Sequence, residues 1–204
     1  MGFDENLIID KVKEMDAEKA SEVLLSIIVT ANEPERRAKA IENLIHFQDS
    51  SHFQEIKSIY LNESHSEAKI KLIELLSECY QKEGTNFLKT QYKNEKDWNV
   101  RKRLIEAVGK IDKFDSLSFL TEALGDSNIE VKKSAIISLE GVVDALEALI
   151  EVLQFRNEEL HEILINVIIK TGKKAEIHRT IKYLSSEKTK YKKDYTCYIR
   201  EDWQ

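Results

Sequence analysis

The side chains best suited to catalysis or metal binding are five histidines and two cysteines. Neither set has the spacing of a reactive site. The histidines are scattered without metal-ligand spacing, at His46, His52, His65, His161 and His178. Cys79 and Cys197 form no CxxC pair, which indicates free thiols in a reducing compartment. Phosphate loops and nucleophile elbows are missing as well. The sequence therefore predicts no catalytic residue, no metal site and no cofactor.

Charged residues, in contrast, recur at regular intervals. One column consists of Lys39, Lys71 and Arg103, and each is followed three residues later by a glutamate: Glu42, Glu74 and Glu106. A second column consists of Arg37, Lys69, Arg101, Lys132 and His161. Three acidic residues precede members of this second column by six residues, namely Glu63, Glu95 and Asp126. Such regularity indicates a repeated structural unit that positions the charges.

Five segments that carry these columns align without internal gaps. They begin at Arg36, Ala68, Val100, Val131 and Leu160, at intervals of 32, 32, 31 and 29 residues. The fifth, sixth and ninth positions of each segment are apolar, which is helical spacing. The sixth positions are all isoleucine, at Ile41, Ile73, Ile105, Ile136 and Ile165. One face of each helix is thus built for burial.

Another amphipathic segment precedes or follows each of these helices, so each unit is a helix pair. These segments are Phe53 to Leu61, Phe87 to Tyr92, Leu117 to Leu124, Leu146 to Leu153 and Ile177 to Leu184. Predicted turns lie at Asn32-Glu33-Pro34, Gly84, Gly125 to Asn128 and Gly172, with Pro34 in a first helical turn and Gly125 at a helix end. We expect Asp16 and Ser116 to cap the helices after them. The run from Val23 to Val29 is rich in β-branched residues, but its place in the repeat predicts helix.

The turn and second helix resemble HEAT repeats of the short bacterial and archaeal kind. The resemblance rests on Gly125-Asp-Ser-Asn-Ile-Glu-Val-Lys-Lys-Ser-Ala and Glu95-Lys-Asp-Trp-Asn-Val-Arg-Lys-Arg-Leu. It implies an all-α fold, an α-α superhelix of about five helix pairs, at about 16–47, 51–81, 84–111, 114–143 and 144–171. A single domain over 1–204 is expected, with an N-terminal capping helix in 1–15 (Asp4 to Glu14), repeats in 16–185 and a basic, aromatic tail in 186–204. A trailing helix from Lys174 to Leu184 would cap the other end.

The charged columns have two interpretations each. The resemblance implies that the second column and its acidic partners form a ladder from the turn of one repeat to the next, worth about 0 to 1 kcal/mol per exposed bond. The column of Lys39, Lys71 and Arg103 either neutralises itself through pairs with the following glutamates or presents a charged groove, since second helices line the concave surface in this family. Trp98 either packs against its turn or stacks on a ligand beside Lys133 and Lys102. The tail either seals the last helix pair or binds an acidic partner.

The resulting function hypothesis is a non-enzymatic protein-binding or scaffolding module in the cytoplasm. The N-terminus lacks the basic start of a secretory signal, and the longest apolar stretch, Ile163 to Ile169, is too short to span a membrane. A net charge of −6 argues against nucleic acid as the partner. Candidate binding residues on the groove are Lys39, Lys71, Trp98, Arg101, Arg103 and Lys133. The alternative is a HEAT-like DNA-binding protein or alkylated-base glycosylase, with Asp97, Trp98 and Arg101 in its groove. The partner and the oligomeric state are not predicted.

Overall fold

The structure is a computed structural model that describes residues 11–47, 51–154 and 157–172. Ten α-helices lie in these residues. They are α1 (Ala17–Thr30), α2 (Pro34–Phe47), α3 (Phe53–Asn62), α4 (Ser66–Cys79), α5 (Gln81–Tyr92), α6 (Trp98–Asp112), α7 (Leu117–Ala123), α8 (Ile129–Ser138), α9 (Leu146–Gln154) and α10 (Glu158–Thr171). The five predicted helix pairs are confirmed, as is helix over Val23 to Val29. The fold is an all-α superhelix of antiparallel helix pairs.

The chain divides into two compact units, Met1–Ser138 and Leu139–Gln204. In the first unit the second helices α2, α4, α6 and α8 pack side by side, while each first helix packs mainly against the second helix of its own pair or the one before it. In the second unit α9 packs against α10, and the backbone N–H of Gly141 donates to Thr171 Oγ1 at 2.8 Å. The expectation of one domain over 1–204 stays a prediction.

The isoleucine column explains why the second helices lie next to one another. Ile41, Ile73, Ile105 and Ile136 are fully buried. Burial of one such side chain stabilises the fold by about 1.5–3 kcal/mol. Four of them at equivalent positions therefore stabilise a regular stack. The apolar periodicity read from the sequence is therefore the core of the first unit.

Four cap and turn predictions are confirmed, at Asp16, Pro34, Gly125 and Gly172. The Asp16 carboxylate accepts a hydrogen bond from the backbone N–H of Lys19 at 3.1 Å and caps α1. Pro34 is the first residue of α2, where its missing N–H costs nothing. Gly125 and Gly172 follow the ends of α7 and α10.

Two others are wrong. Ser116 precedes α7, but its side chain makes no cap bond, and its hydroxyl is buried without a hydrogen-bond partner. Gly84 lies inside α5 and not in a turn; the chain turns at Tyr80 and Gln81. A Cβ at Gly84 would come within 2.5 Å of the Leu76 carbonyl oxygen, so this glycine permits α5 to approach α4 closely.

The chain ends are only partly described. Of the predicted leading helix, Asp4 to Asp10 lies outside the described residues, and Val12–Glu14 forms a 3-10 turn instead of an α-helix. The predicted helix from Lys174 to Leu184 and the tail 186–204 lie outside the described residues.

Candidate protein-binding surface on the second helices

A row of alternating charges crosses three neighbouring second helices. The Lys71 Nζ lies 3.1 Å from Glu74 on the same helix and 3.4 Å from Glu42 on α2. Arg103 on α6 lies 3.2 Å from Glu106, and its Nη2 also donates to Glu74 on α4. We call these five residues the charged stripe. The predicted pairing of Lys71 and Arg103 with the following glutamates is confirmed, and further pairs join adjacent repeats.

The stripe is held in place but stays accessible. The Lys71, Glu74 and Arg103 side chains are 27%, 24% and 35% exposed. Burial lowers the pKa of Lys71, but hydrogen bonds and charge attraction from Glu74 and Glu42 outweigh it, so its pKa is raised and the ammonium stays charged. Arg103 Nε is buried without a hydrogen-bond partner. The stripe is thus a fixed array of half-exposed charges.

The turns between repeats carry the predicted ladder, which is confirmed. Its three ion pairs join Arg37 to Glu63 at 2.7 Å, Lys69 to Glu95 at 2.8 Å and Arg101 to Asp126 at 2.8 Å. Each pair links the second helix of one repeat to the turn of the next. The acidic side chains are only 4–10% exposed, so the ladder is far more buried than surface pairs are.

Each acidic member of the ladder also organises its own turn. Glu63 accepts hydrogen bonds from the backbone N–H groups of Ser64 and His65, both at 2.9 Å. Asp126 accepts one from the Asn128 N–H at 2.8 Å and one from the Tyr92 hydroxyl at 2.7 Å. Burial raises the pKa of Asp126, but bonds from Arg101, the Asn128 backbone and Tyr92 outweigh it and hold this pKa at about 2. The ladder therefore acts within the fold and fixes the register of stacking.

The predicted site residues are distributed over two places. Lys71 and Arg103 meet in the stripe, and Lys39 and Lys133 lie half-buried on the flanking helices α2 and α8, where Lys133 pairs with Glu130 at 2.8 Å. Arg101 lies in the ladder, where its Nη1 also donates to the Lys96 carbonyl at 2.9 Å. Its guanidinium is therefore engaged inside the repeat.

Trp98 begins α6 and is 38% exposed, at the turn edge of the repeat. The preceding Asp97 caps this helix by accepting from the Asn99 N–H at 2.8 Å, and it also accepts from the Ser66 hydroxyl. Asp97 and Arg101, two residues of the glycosylase hypothesis, are thus both bonded within the repeat turns.

Sequence reasoning missed that the charged columns of the stripe stop at α8, the helix next to the stripe. There Ser134 donates to Glu106 at 3.1 Å and takes the column position of Lys71 and Arg103. Ile137 takes the position of the glutamates and is 55% exposed. The gapless alignment already contained this signal, because it placed an isoleucine in a column of acids.

A metal site and a membrane-spanning helix are both absent from the described residues. No group of three or more histidine, cysteine, aspartate or glutamate side chains there is arranged to hold a metal ion. In the same ranges, no helix has the length and apolar character needed to cross a membrane.

Residues 53–140 match the family model described as HEAT repeats. The resemblance to HEAT repeats seen in the sequence is confirmed over these residues. Proteins of this class form stacked scaffolds with extended binding surfaces. No curated protein matches the sequence as a relative. A solved structure described as an engineered protein of the Northeast Structural Genomics Consortium is similar, with a TM-score of 0.44 and 14% identity over 95% of this chain and 94% of that chain. That likeness carries no inference about function.

Proposed function

We propose that this protein is a non-enzymatic, cytoplasmic scaffold that binds a protein partner on the charged stripe. The observation that carries the proposal is the continuity of the stripe across α2, α4 and α6. A HEAT-repeat stack offers an extended surface of this kind, and the family resemblance implies that the second helices line its concave side. The stripe gives that surface a defined pattern of charge.

A partner can compete for the stripe because its internal pairs are weak. Half-exposed ion pairs contribute about 0–1 kcal/mol, so their replacement by pairs to a partner costs little stability. Complementary charges would set the register of the partner and speed its association.

Affinity would come from a few anchors near the stripe. Arginine and tryptophan are enriched among residues that dominate binding energy, which favours Arg103 and the exposed Trp98. Ile137 supplies an exposed apolar contact at the α8 end. Lys39 and Lys133 extend the basic column on either side. Arg101 contributes by holding the turn that presents Trp98.

The test is affinity capture from native cytosol with three forms of the protein, followed by titration of any protein recovered. The stripe variant is Lys71→Glu with Arg103→Glu. The matched control is Lys89→Glu with Lys93→Glu, which makes the same charge change on the first helix α5 and at the residue just after it. Circular dichroism must show equal helicity in all three. We expect the intact chain and the control to bind the same partner, and the stripe variant to bind it at least about tenfold more weakly.

Equal binding by the stripe variant and the intact chain would reject the proposal. Recovery of nucleic acid alone, with salt-sensitive DNA binding that is lost in Trp98→Ala, would replace it with the DNA-binding alternative.

A further inference from the structure

A cleft of about 400 Å³ opens beside the turn ends of α1 and α3 in the first unit. Its lining includes Ile28, which is 2% exposed, and Ile59, and its polar end is the ladder pair Arg37 and Glu63. None of the stripe residues lines it. The cleft is therefore a separate feature of the first two repeats.

The next two repeats place a tyrosine of the chain itself at the corresponding position. Tyr60 and Tyr92 follow Ile28 at intervals of 32 residues. The Tyr60 ring packs edge to face on Phe87, with centroids 5.4 Å apart, and the Tyr92 ring packs in the same way on Phe119 at 5.3 Å. Each aromatic pair fills the space between the first helices of consecutive repeats.

Both tyrosines also lie against the ladder pair of their own repeat. The Lys69 Nζ is 5.7 Å from the centre of the Tyr60 ring. The Tyr92 hydroxyl donates to Asp126 Oδ2 at 2.7 Å, and the same oxygen accepts from Arg101 Nε at 2.8 Å. A tyrosine next to the ladder is thus a recurring part of this repeat.

The first repeat lacks this part. Isoleucine replaces the tyrosine at position 28, and the column of Phe87 and Phe119 holds Glu55. Glu55 is 48% exposed and lies 3.3 Å from His52, so it does not replace the missing ring. Ile28, Arg37 and Glu63 line the cleft, so it opens at the position where the next two repeats place a tyrosine beside the ladder.

Glu63 can accept the hydroxyl that the first repeat does not supply. Its Oε2 accepts one described hydrogen bond, from Arg37 Nε at 2.7 Å, whereas the equivalent oxygen of Asp126 accepts two. A carboxylate oxygen has two lone pairs, so Oε2 keeps room for a second donor. Burial raises the pKa of Glu63, but the hydrogen bonds from Arg37 and from the backbone outweigh burial and lower it. The Glu63 carboxylate therefore stays ionised.

We propose that this cleft binds a tyrosine side chain of a partner protein, with the ring between Ile28 and Ile59 and the hydroxyl donating to Glu63. The partner's ring completes the aromatic layer that the chain completes for itself in the next two repeats. Neighbouring Asn32 and Asn62 offer amide groups for the partner's backbone. This site shares no residue with the stripe, so the two proposals stand or fall separately.

The probe for the test is p-cresol, which is the side chain of tyrosine, and toluene is its matched control without the hydroxyl. In methyl-resolved NMR spectra of the whole chain, we expect p-cresol to shift the Ile28 and Ile59 signals in a saturable way, with a Kd on the order of 1 mM. Intermolecular NOEs should join its ring protons to these two methyl groups. Toluene should bind roughly tenfold more weakly, because it cannot donate to Glu63.

The Ile28→Tyr variant should close the site from within. It gives the first repeat the tyrosine of the next two, so we expect it to fold, to raise the Tm and to abolish the p-cresol shifts. Unchanged p-cresol binding by a folded Ile28→Tyr protein would overturn the proposal. So would the absence of NOEs to Ile28 and Ile59 in the unaltered protein, a result that does not depend on the variant. Equal binding of toluene and p-cresol would refute the hydrogen bond to Glu63.

Discussion

Replacement of Arg101 by methionine tests whether the ladder stabilises the stack. Arg101 Nε and Nη2 donate to the two oxygens of Asp126 at 2.8 and 2.9 Å, and the two side chains are 13% and 5% exposed. Loss of one partner from a buried pair costs about 3–5 kcal/mol, and loss of an exposed pair costs about 0–1 kcal/mol. Asp126 keeps its bonds from Tyr92 and Asn128, which places the expected loss near 3 kcal/mol.

Urea unfolding followed by circular dichroism would measure this loss, and α6 supplies a matched control. Lys110 lies on the same helix and pairs with Glu78, but these side chains are 69% and 46% exposed. Lys110→Met should therefore cost less than about 1 kcal/mol. Thermal scans should show a Tm drop of about 6–12 °C for Arg101→Met, from roughly 2–4 °C per kcal/mol in a chain of this size. Equal effects of the two substitutions would refute the claim that burial makes the ladder strong.

The same pair predicts how the difference depends on pH. The pKa of Asp126 is lowered from 3.8 to about 2 in the folded protein, so its contribution is fully present above pH 4 and is lost as the pH falls towards 2. The loss amounts to about 2 kcal/mol, because each pKa unit corresponds to about 1.4 kcal/mol. The stability gap between the intact protein and Arg101→Met should therefore narrow between pH 4 and 2. A stability gap that stays constant over this pH range would show that the ionised Asp126 carboxylate does not cause the difference in stability.

Two core substitutions give further expectations. Gly109→Ala should lower stability by about 1–3 kcal/mol despite the better helix propensity of alanine, because its Cβ would lie 2.5 Å from the Ser138 Cβ. Addition of Ser138→Gly should restore most of the lost stability. Failure to restore it would contradict the contact between these two residues. Ser116→Ala should leave stability unchanged or raise it by up to about 1 kcal/mol in chemical denaturation, since the buried hydroxyl has no hydrogen-bond partner. A loss above about 1 kcal/mol would show that the hydroxyl is bonded.

The helix pairs and the ladder could be predicted because both depend on intervals along the chain. Apolar residues at the fifth, sixth and ninth positions of each segment report a buried helical face directly. The ladder follows from an acid in the turn and a base in the preceding second helix, once the repeats stack in register. Arg37 with Glu63 and Arg101 with Asp126 illustrate this rule.

The strength of the ladder and the stripe pairs that join neighbouring helices could not be predicted, because they depend on burial and on distances between helices. The sequence suggested about 0 to 1 kcal/mol per ladder bond, but Glu63 is 4% exposed in the structure. The pairing of Arg103 with Glu74 on the neighbouring helix likewise needs the packing of α4 against α6. Gly84 was mistaken for a turn because glycine favours both turns and close helix contacts, and only the structure shows the Leu76 carbonyl that requires it.

Because the repeats are regular, the positions that depart from the repeat pattern can be identified. Stacking accounts for the residues that recur, such as the buried isoleucines and the ladder, so their presence says little about a partner. It does not account for Ile28 and Glu55 in columns that hold tyrosine and phenylalanine in the next two repeats, or for the exposed Ile137 in the column of Glu42, Glu74 and Glu106. Each of these replacements leaves a cleft or an exposed apolar side chain that the adjacent repeats avoid. A stack selected for stability alone would have kept the recurrent residue, and these two places therefore carry the strongest expectation of contact with another molecule.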